Sequence, residues 1–133
     1  MNLKNLLGVI KNLETLGNSI AISMSMQSMN PETLKIIKRD NINLDMYRKI
    51  SRSMMAKKMS QMAEVIVPLP KETYPSYLRG VESLLNLGAK RVISYTLQLN
   101  DGTIYKDEHF RKRFGYTGKY RLIPYDFGTY GGR

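Results

Sequence analysis

The 133-residue sequence contains no cysteine. That excludes disulfides, thiolate nucleophiles and any iron–sulfur or zinc centre held by sulfur from this chain. It has one histidine, His109, which cannot build a multi-histidine metal site, and nothing around it suggests a Ser-His-Asp triad. No protein metal ligand set and no catalytic residue is expected. Long apolar runs are missing too. The longest candidate, Ile20 to Met26, is broken by Ser23 and Ser25 and falls far short of the roughly 20 residues of a membrane span. The first residues, MNLKNLLGVIKNLETLG, lack the layout of a signal peptide, because Lys11 and Glu14 interrupt the apolar stretch. The expectation is a cytoplasmic chain without membrane association. Acidic residues are scarce, 11 against 21 basic ones, for a formal net charge of +10. An excess of that kind suits an anionic partner, although a charge spread this evenly also reads as a solvated basic surface.

What is present is the composition of an ordinary globular chain, 42% hydrophobic and 24% charged, with room for one core. The stretch that organises it is QMAEVIVPL, Gln61 to Leu69. Val65-Ile66-Val67 is a short β-branched run of the type found in strands covered on both faces. One carboxylate, Glu64, sits within it. A buried carboxylate costs free energy unless something pairs with it, so what Glu64 faces becomes the central question. Pro68 and Pro70 end the run where parallel α/β folds place their ligands.

The remaining signals surround this strand with helices. Asn2 can cap a helix whose apolar stripe is Leu3, Leu6, Leu7, Ile10 and Leu13, with Gly17 as its stop. Ser19 to Met26 reads as a strand. Asn30-Pro31 opens a helix running to about Arg39, and Asp45 caps another running to about Lys58 with Met46, Tyr47, Ile50, Met54 and Met55 on its apolar side. A third helix covers about Pro75 to Leu87, facing the core with Tyr77, Leu78, Val81, Leu84 and Leu85, before Gly88. Arg91 to Leu99 is a strand and Asn100-Asp101-Gly102 a turn. The methionine-rich content reads as adaptable core filling. The order predicts β–α–β crossovers on a parallel sheet over residues 1–100. Residues 101–133 form a basic, aromatic, irregular C-terminal tail expected to pack on that domain. Three strands leave two open sheet edges, which favours self-association or a complementing partner.

Several stretches in this order resemble the second half of the radical S-adenosylmethionine (SAM) enzyme barrel. They are Ser25-Met26-Gln27-Ser28-Met29-Asn30-Pro31-Glu32-Thr33-Leu34, then Ile36-Ile37-Lys38-Arg39, then Glu64 through Thr73. The resemblance is strongest to the cobalamin-binding-domain radical SAM proteins, with oxygen-independent coproporphyrinogen oxidases as more distant relatives. YTLQLNDGT…YRLIPYDFG resembles the segment after the sixth strand of the former. The likeness spans roughly residues 3 to 128. It implies a partial (β/α) TIM-type barrel of about three parallel strands with flanking helices.

Carried over position by position, the resemblance implies a partial SAM pocket. Gln27, followed by Ser28 in the S-x-Q-S pattern, matches the polar residue that contacts the SAM ribose or methionine moiety. Arg39 matches a helix arginine that pairs with the SAM carboxylate, and Glu64 matches the acceptor for the ribose hydroxyls. The Pro68-Leu69 backbone matches the turn against adenine, and Tyr95 lies on the strand beside it. Two departures stand out. Proline replaces the family glycine at Pro68, removing an N–H. The CxxxCxxC loop that ligates the family's 4Fe–4S cluster has no counterpart here. The expectation is therefore a fragment, inactive alone in that chemistry, whose partner is the missing N-terminal half of the barrel or a second copy. The alternative is a small basic binding module for RNA or acidic proteins, resting on the interleaved bases and aromatics of Phe110 to Arg121. No RNP, KH or zinc pattern accompanies that stretch, so nucleic acid is not the expected partner.

Overall fold

A computed structural model describes residues 3–13 and 21–120. The predicted Asn2 cap, the Gly17 stop, residues 19 and 20 of the first predicted strand and residues 121–128 of the YRLIPYDFG segment lie outside the described residues. The chain divides into two compact units, Met1–Gln98 and Leu99–Arg133.

In the first unit, helix α1 (Leu3–Asn12) precedes strand β1 (Ala21–Gln27). Helices α2 (Pro31–Ile36) and α3 (Leu44–Ala56) lead to β2 (Ser60–Val67), and α4 (Tyr74–Asn86) leads to β3 (Arg91–Thr96). The three strands form one parallel sheet in the order β1-β2-β3. This is the predicted partial β/α barrel architecture, with helices supplying every crossover that a parallel pair requires.

The core lies between one sheet face and the helices. Met24 and Met26 of β1 and Ala63 and Val65 of β2 are buried there with Ile10, Tyr47, Ile50, Met54, Met59 and Leu84. Four methionines thus fill core positions, as expected of a flexible side chain. Met55 is 61% exposed, and Leu78 and Leu85 of α4 are 45% and 47% exposed, so the predicted core faces of α3 and α4 are narrower than their sequence pattern. Tyr47 and Gln61 bring polar atoms into this core. Burial pushes the Tyr47 phenol above its ordinary value, and the nearby Gln61 amide offsets part of that.

The structure corrects the reading of β2 as covered on both faces. Gln61, Ala63 and Val65 are buried, whereas Met62, Glu64 and Ile66 on the other face are only half-buried. Period-two alternation, hidden beneath a continuous apolar run, decides which side chains meet the helices.

Helix ends also differ from the sequence pattern. Asn30 caps α2 as predicted, its side chain accepting from the Glu32 and Thr33 N–H groups, with Pro31 following. The helix stops at Ile36 and does not reach Arg39, because Lys38 turns left-handed at φ 53°. The Arg39 N–H then closes the end on the Leu34 carbonyl at 3.0 Å. The cap of α3 is Asn43, which accepts from the N–H groups of Asp45 and Met46; Asp45 sits in the first turn, where a carboxylate complements the helix dipole. Thr73 caps α4 reciprocally with Ser76, and Gly88 follows that helix at φ 107°, a conformation that favours glycine.

In the second unit, the stretch expected to be irregular holds a 3-10 turn (Ile104–Lys106) and helix α5 (Glu108–Phe114), capped by Asp107 and ended by left-handed Gly115. Phe110 anchors it, stacked at 6.3 Å on Tyr116 and edge-on to Tyr105 at 5.8 Å. Local capping and aromatic packing make a helix where the scarcity of aliphatics suggested none. His109 is exposed on α5.

Candidate functional site

The carboxyl ends of the strands and the open face of the sheet gather most of the predicted site residues. The register pairs Ser23 with Met62 and Ser25 with Glu64 across β1 and β2, and Glu64 with Ile93 and Ile66 with Tyr95 across β2 and β3. Alternation therefore places Ser23, Ser25, Glu64 and Tyr95 on the same face, opposite the helices.

Glu64 is half-buried, not enclosed. The Ser25 hydroxyl donates to its Oε2 at 2.8 Å. Hydroxyls of Ser23 first, then Ser25 and with a smaller effect Tyr95, hold its carboxyl below the ordinary carboxylate value, against a modest opposing desolvation. Hydrogen bonds to the charged form favour ionisation. The result is an anionic acceptor, open on one side, amid donors that can be exchanged for those of a ligand. Ser23 and Ser25 escaped notice as site residues although their i, i+2 spacing on one strand carries the signal.

Gln27 closes β1 at an irregularity in the register between Ser25 and Gln27 and has φ 61°. Bulged strand ends re-aim side chains, and a left-handed glutamine is uncommon enough to point to a held conformation. Gln27, Ser28 and Met29 line one wall of a small crevice open to solvent, whose other wall includes Glu72, Ser76 and Gly80. Ser28 is buried and engaged within the protein, donating to a Glu72 carboxylate oxygen and accepting from the Asn30 N–H at 3.0 Å.

The other carried-over residues are placed differently. Arg39 is exposed beyond the end of α2 and does not line the crevice. No side-chain hydrogen bond or ion pair engages it among the described residues. Pro68 is exposed after a cis Val67–Pro68 peptide, and Leu69 points into the core at 3% exposure. Tyr95 is 49% exposed on the sheet's open face.

Sequence reasoning missed the bonds that join the two loops at these strand ends. Thr33 Oγ1 donates to the Pro70 carbonyl at 2.8 Å, and Asn30 Nδ2 to the Lys71 carbonyl at 3.4 Å. Glu72 accepts from Ser28 and, on its other oxygen, from Ser76. Such long-range polar pairs leave no periodic trace in a sequence.

The arrangement offers acceptors for hydroxyl donors, but nothing for a metal cluster. With no cysteine in the chain and no grouping of three His, Asp or Glu fit to hold a metal among the described residues, a 4Fe–4S cluster does not fit these side chains. Its ligands would have to come from other sequence. Among the described residues no helix is long and apolar enough to cross a membrane.

Comparison with known proteins returned no matching family model. The chain is 41% identical over 66 residues to the cobalamin-dependent radical SAM methyltransferase TokK of Streptomyces tokunonensis, a match covering 50% of this chain and 10% of that protein. It is 36% identical over 66 residues to the 2-(S-pantetheinyl)-carbapenam-3-carboxylate methyltransferase of Streptantibioticus cattleyicolor, with the same coverage. Its fold is similar to that of coproporphyrinogen III oxidase (HemN) from Escherichia coli, a radical SAM enzyme. The TM-score is 0.60 at 21% identity, covering 71% of this chain and 21% of that one. The matched stretch thus spans about a tenth of the length of these curated relatives.

Proposed function

We propose that this chain, a relative of the radical SAM enzymes, supplies the ribose-binding side of a SAM pocket. In this reading it acts with cluster-bearing sequence, in the same polypeptide or a partner, in the class of cobalamin-dependent methyl transfer named for its relatives. Without that sequence it is inactive. The observation that supports the reading is the ionised, half-open Glu64, ringed by the hydroxyls of Ser23, Ser25 and Tyr95 at the middle strand of a barrel-type sheet. A diol fits this acceptor, since a carboxylate takes two O–H donors and has no proton of its own to donate. Gln27, at the carboxyl end of β1, is the second contact. Arg39 is the third, its exposed guanidinium available for a carboxylate. When bound, SAM would supply the methyl and adenosyl groups; the residues named here only bind and orient it.

The test is equilibrium binding of SAM to the chain and to its Glu64→Ala variant. Hydrogen bonds to a charged acceptor contribute about 1.5–3 kcal/mol each. Ligand hydroxyls must here displace existing donors, so the lower figure applies, and two bonds give about 3 kcal/mol. At 1.4 kcal/mol per tenfold that is a loss on the order of 150-fold. Glu64→Gln, which keeps one carbonyl acceptor, should lose roughly tenfold by the same arithmetic. SAM binding that is absent from the parent, or equal in parent and Glu64→Ala, would sink the reading.

A further inference from the structure

We infer that Glu72 is a positioning residue that sets the conformation of Gln27, an inference that rests on the SAM-pocket reading above. Glu72 stands in the loop after β2, far from β1 in sequence, yet its two carboxylate oxygens accept from Ser28 and Ser76. Ser28 directly follows Gln27. Its N–H donates to the Met26 carbonyl at 2.7 Å, its hydroxyl accepts from the Asn30 N–H at 3.0 Å, and its carbonyl accepts from Asn41 Nδ2 at 2.6 Å. Every polar group of Ser28 is thereby engaged, and the contact that ties it to the rest of the sheet's carboxyl end is Glu72.

The second serine completes the clamp. Ser76 belongs to the capping box of α4, accepting from the Thr73 N–H at 2.9 Å while it donates to Glu72. The carboxylate thus couples the first turn of a 13-residue helix to the residue after Gln27. An ionised carboxylate is an acceptor only, so it can hold two hydroxyl donors at once without ambiguity of orientation. Gln27 itself sits at φ 61°, a conformation that needs its surroundings to enforce it. Thr33 to Pro70 at 2.8 Å runs parallel to the clamp and keeps the two loops together if it opens. Removing Glu72 should therefore free the Gln27–Ser28 turn while leaving the loops in place.

A double-mutant cycle on SAM affinity with Glu72→Ala and Gln27→Ala, joined to amide exchange on the unliganded chain, tests this. Residues acting through one another are non-additive, whereas independent ones add. Glu72→Ala alone should weaken SAM binding roughly fivefold or more, but by less than about twofold in the Gln27→Ala background. It should also speed exchange at the Ser28 and Asn30 amides and leave the β2–β3 ladder protected. Ser76→Ala, which opens the same clamp from the helix side, should give the same coupling if Glu72→Ala proves too unstable. Unchanged exchange at Ser28 and Asn30 overturns the clamp, whatever SAM does. Faster exchange with additive affinity losses overturns the positioning role alone. A parent chain that binds SAM no better than Gln27→Ala and Glu64→Ala overturns the pocket reading, and the positioning role falls with it.

Discussion

Gly80 lies within α4 and is buried against the turn that carries Gln27. A Cβ added there would stand 3.2 Å from Met29 Cβ and 3.4 Å from Met29 Cγ. Two effects then oppose one another. Alanine in place of glycine inside a helix gains about 0.8–1.0 kcal/mol of propensity. Overpacking costs about 1–3 kcal/mol, and here relief is limited because the nearer atom is a Cβ bonded to backbone, not the tip of a flexible chain. That backbone adjoins Ser28, which Glu72 and Asn41 hold. Gly80→Ala should therefore be destabilised by about 1 kcal/mol, the difference between those two terms. Gly80→Val recovers only roughly 0.3 kcal/mol of propensity and adds more bulk, so about 2–3 kcal/mol should be lost. Urea unfolding with an unchanged m-value reads both directly. Thermal midpoints should fall by about 4–8 °C per kcal/mol for a unit of this size. An alanine variant more stable than the parent by about 1 kcal/mol would show that Met29 yields freely and that the turn is not held.

Leu84 is wholly buried in the core, and Leu84→Ala should cost about 2–5 kcal/mol in the same unfolding assay, while exposed Leu85→Ala should cost far less. Asn43→Ala should cost about 1 kcal/mol through loss of the α3 cap, and Asp45→Ala less than half as much; the reverse order in urea midpoints would restore Asp45 as the cap. The Tyr116 phenol is pushed from its ordinary 10 up to about 12, by burial first and by Tyr105 second. A folded-state pKa above the unfolded one stabilises below pH 10, and that contribution disappears as pH rises through 12. Spectrophotometric titration should show this late phenol, and Tyr116→Phe should abolish the corresponding loss of stability between pH 10 and 12.

The architecture was legible because its signals are local. Asn30-Pro31 marks a helix start by capping chemistry, Gly88 marks a stop by backbone freedom, and Val65-Ile66-Val67 marks a strand by side-chain shape. Each survives in the structure. The site was legible only in part. Glu64 stood out as a charge within an apolar run, but its open side depends on which face the helices cover, and that is set by the whole chain. Arg39 was assigned to a helix because lysine at position 38 gives no sign of a left-handed turn. Glu72 carries no local sign of its role, since its serine partners lie 44 residues upstream and four downstream. The clamp exists only once the sheet has formed.

The sheet's register carries a kinetic consequence. Ala21 pairs with Ser60 and Met62 with Arg91, so no bonded pair of strands is joined by a tight turn and each pairing spans a long crossover. Every ladder contact must therefore wait for a large loop to close, and topologies of this kind fold slowly for that reason. Among the described strands, β1 finds its partner only when β2, some 39 residues later, has emerged too. Because β2 is the central strand of the order β1-β2-β3, neither outer strand can join a sheet before it. A delay or error at Ser60–Val67 stalls the whole domain, whereas one at Arg91–Thr96 leaves a two-stranded intermediate already formed.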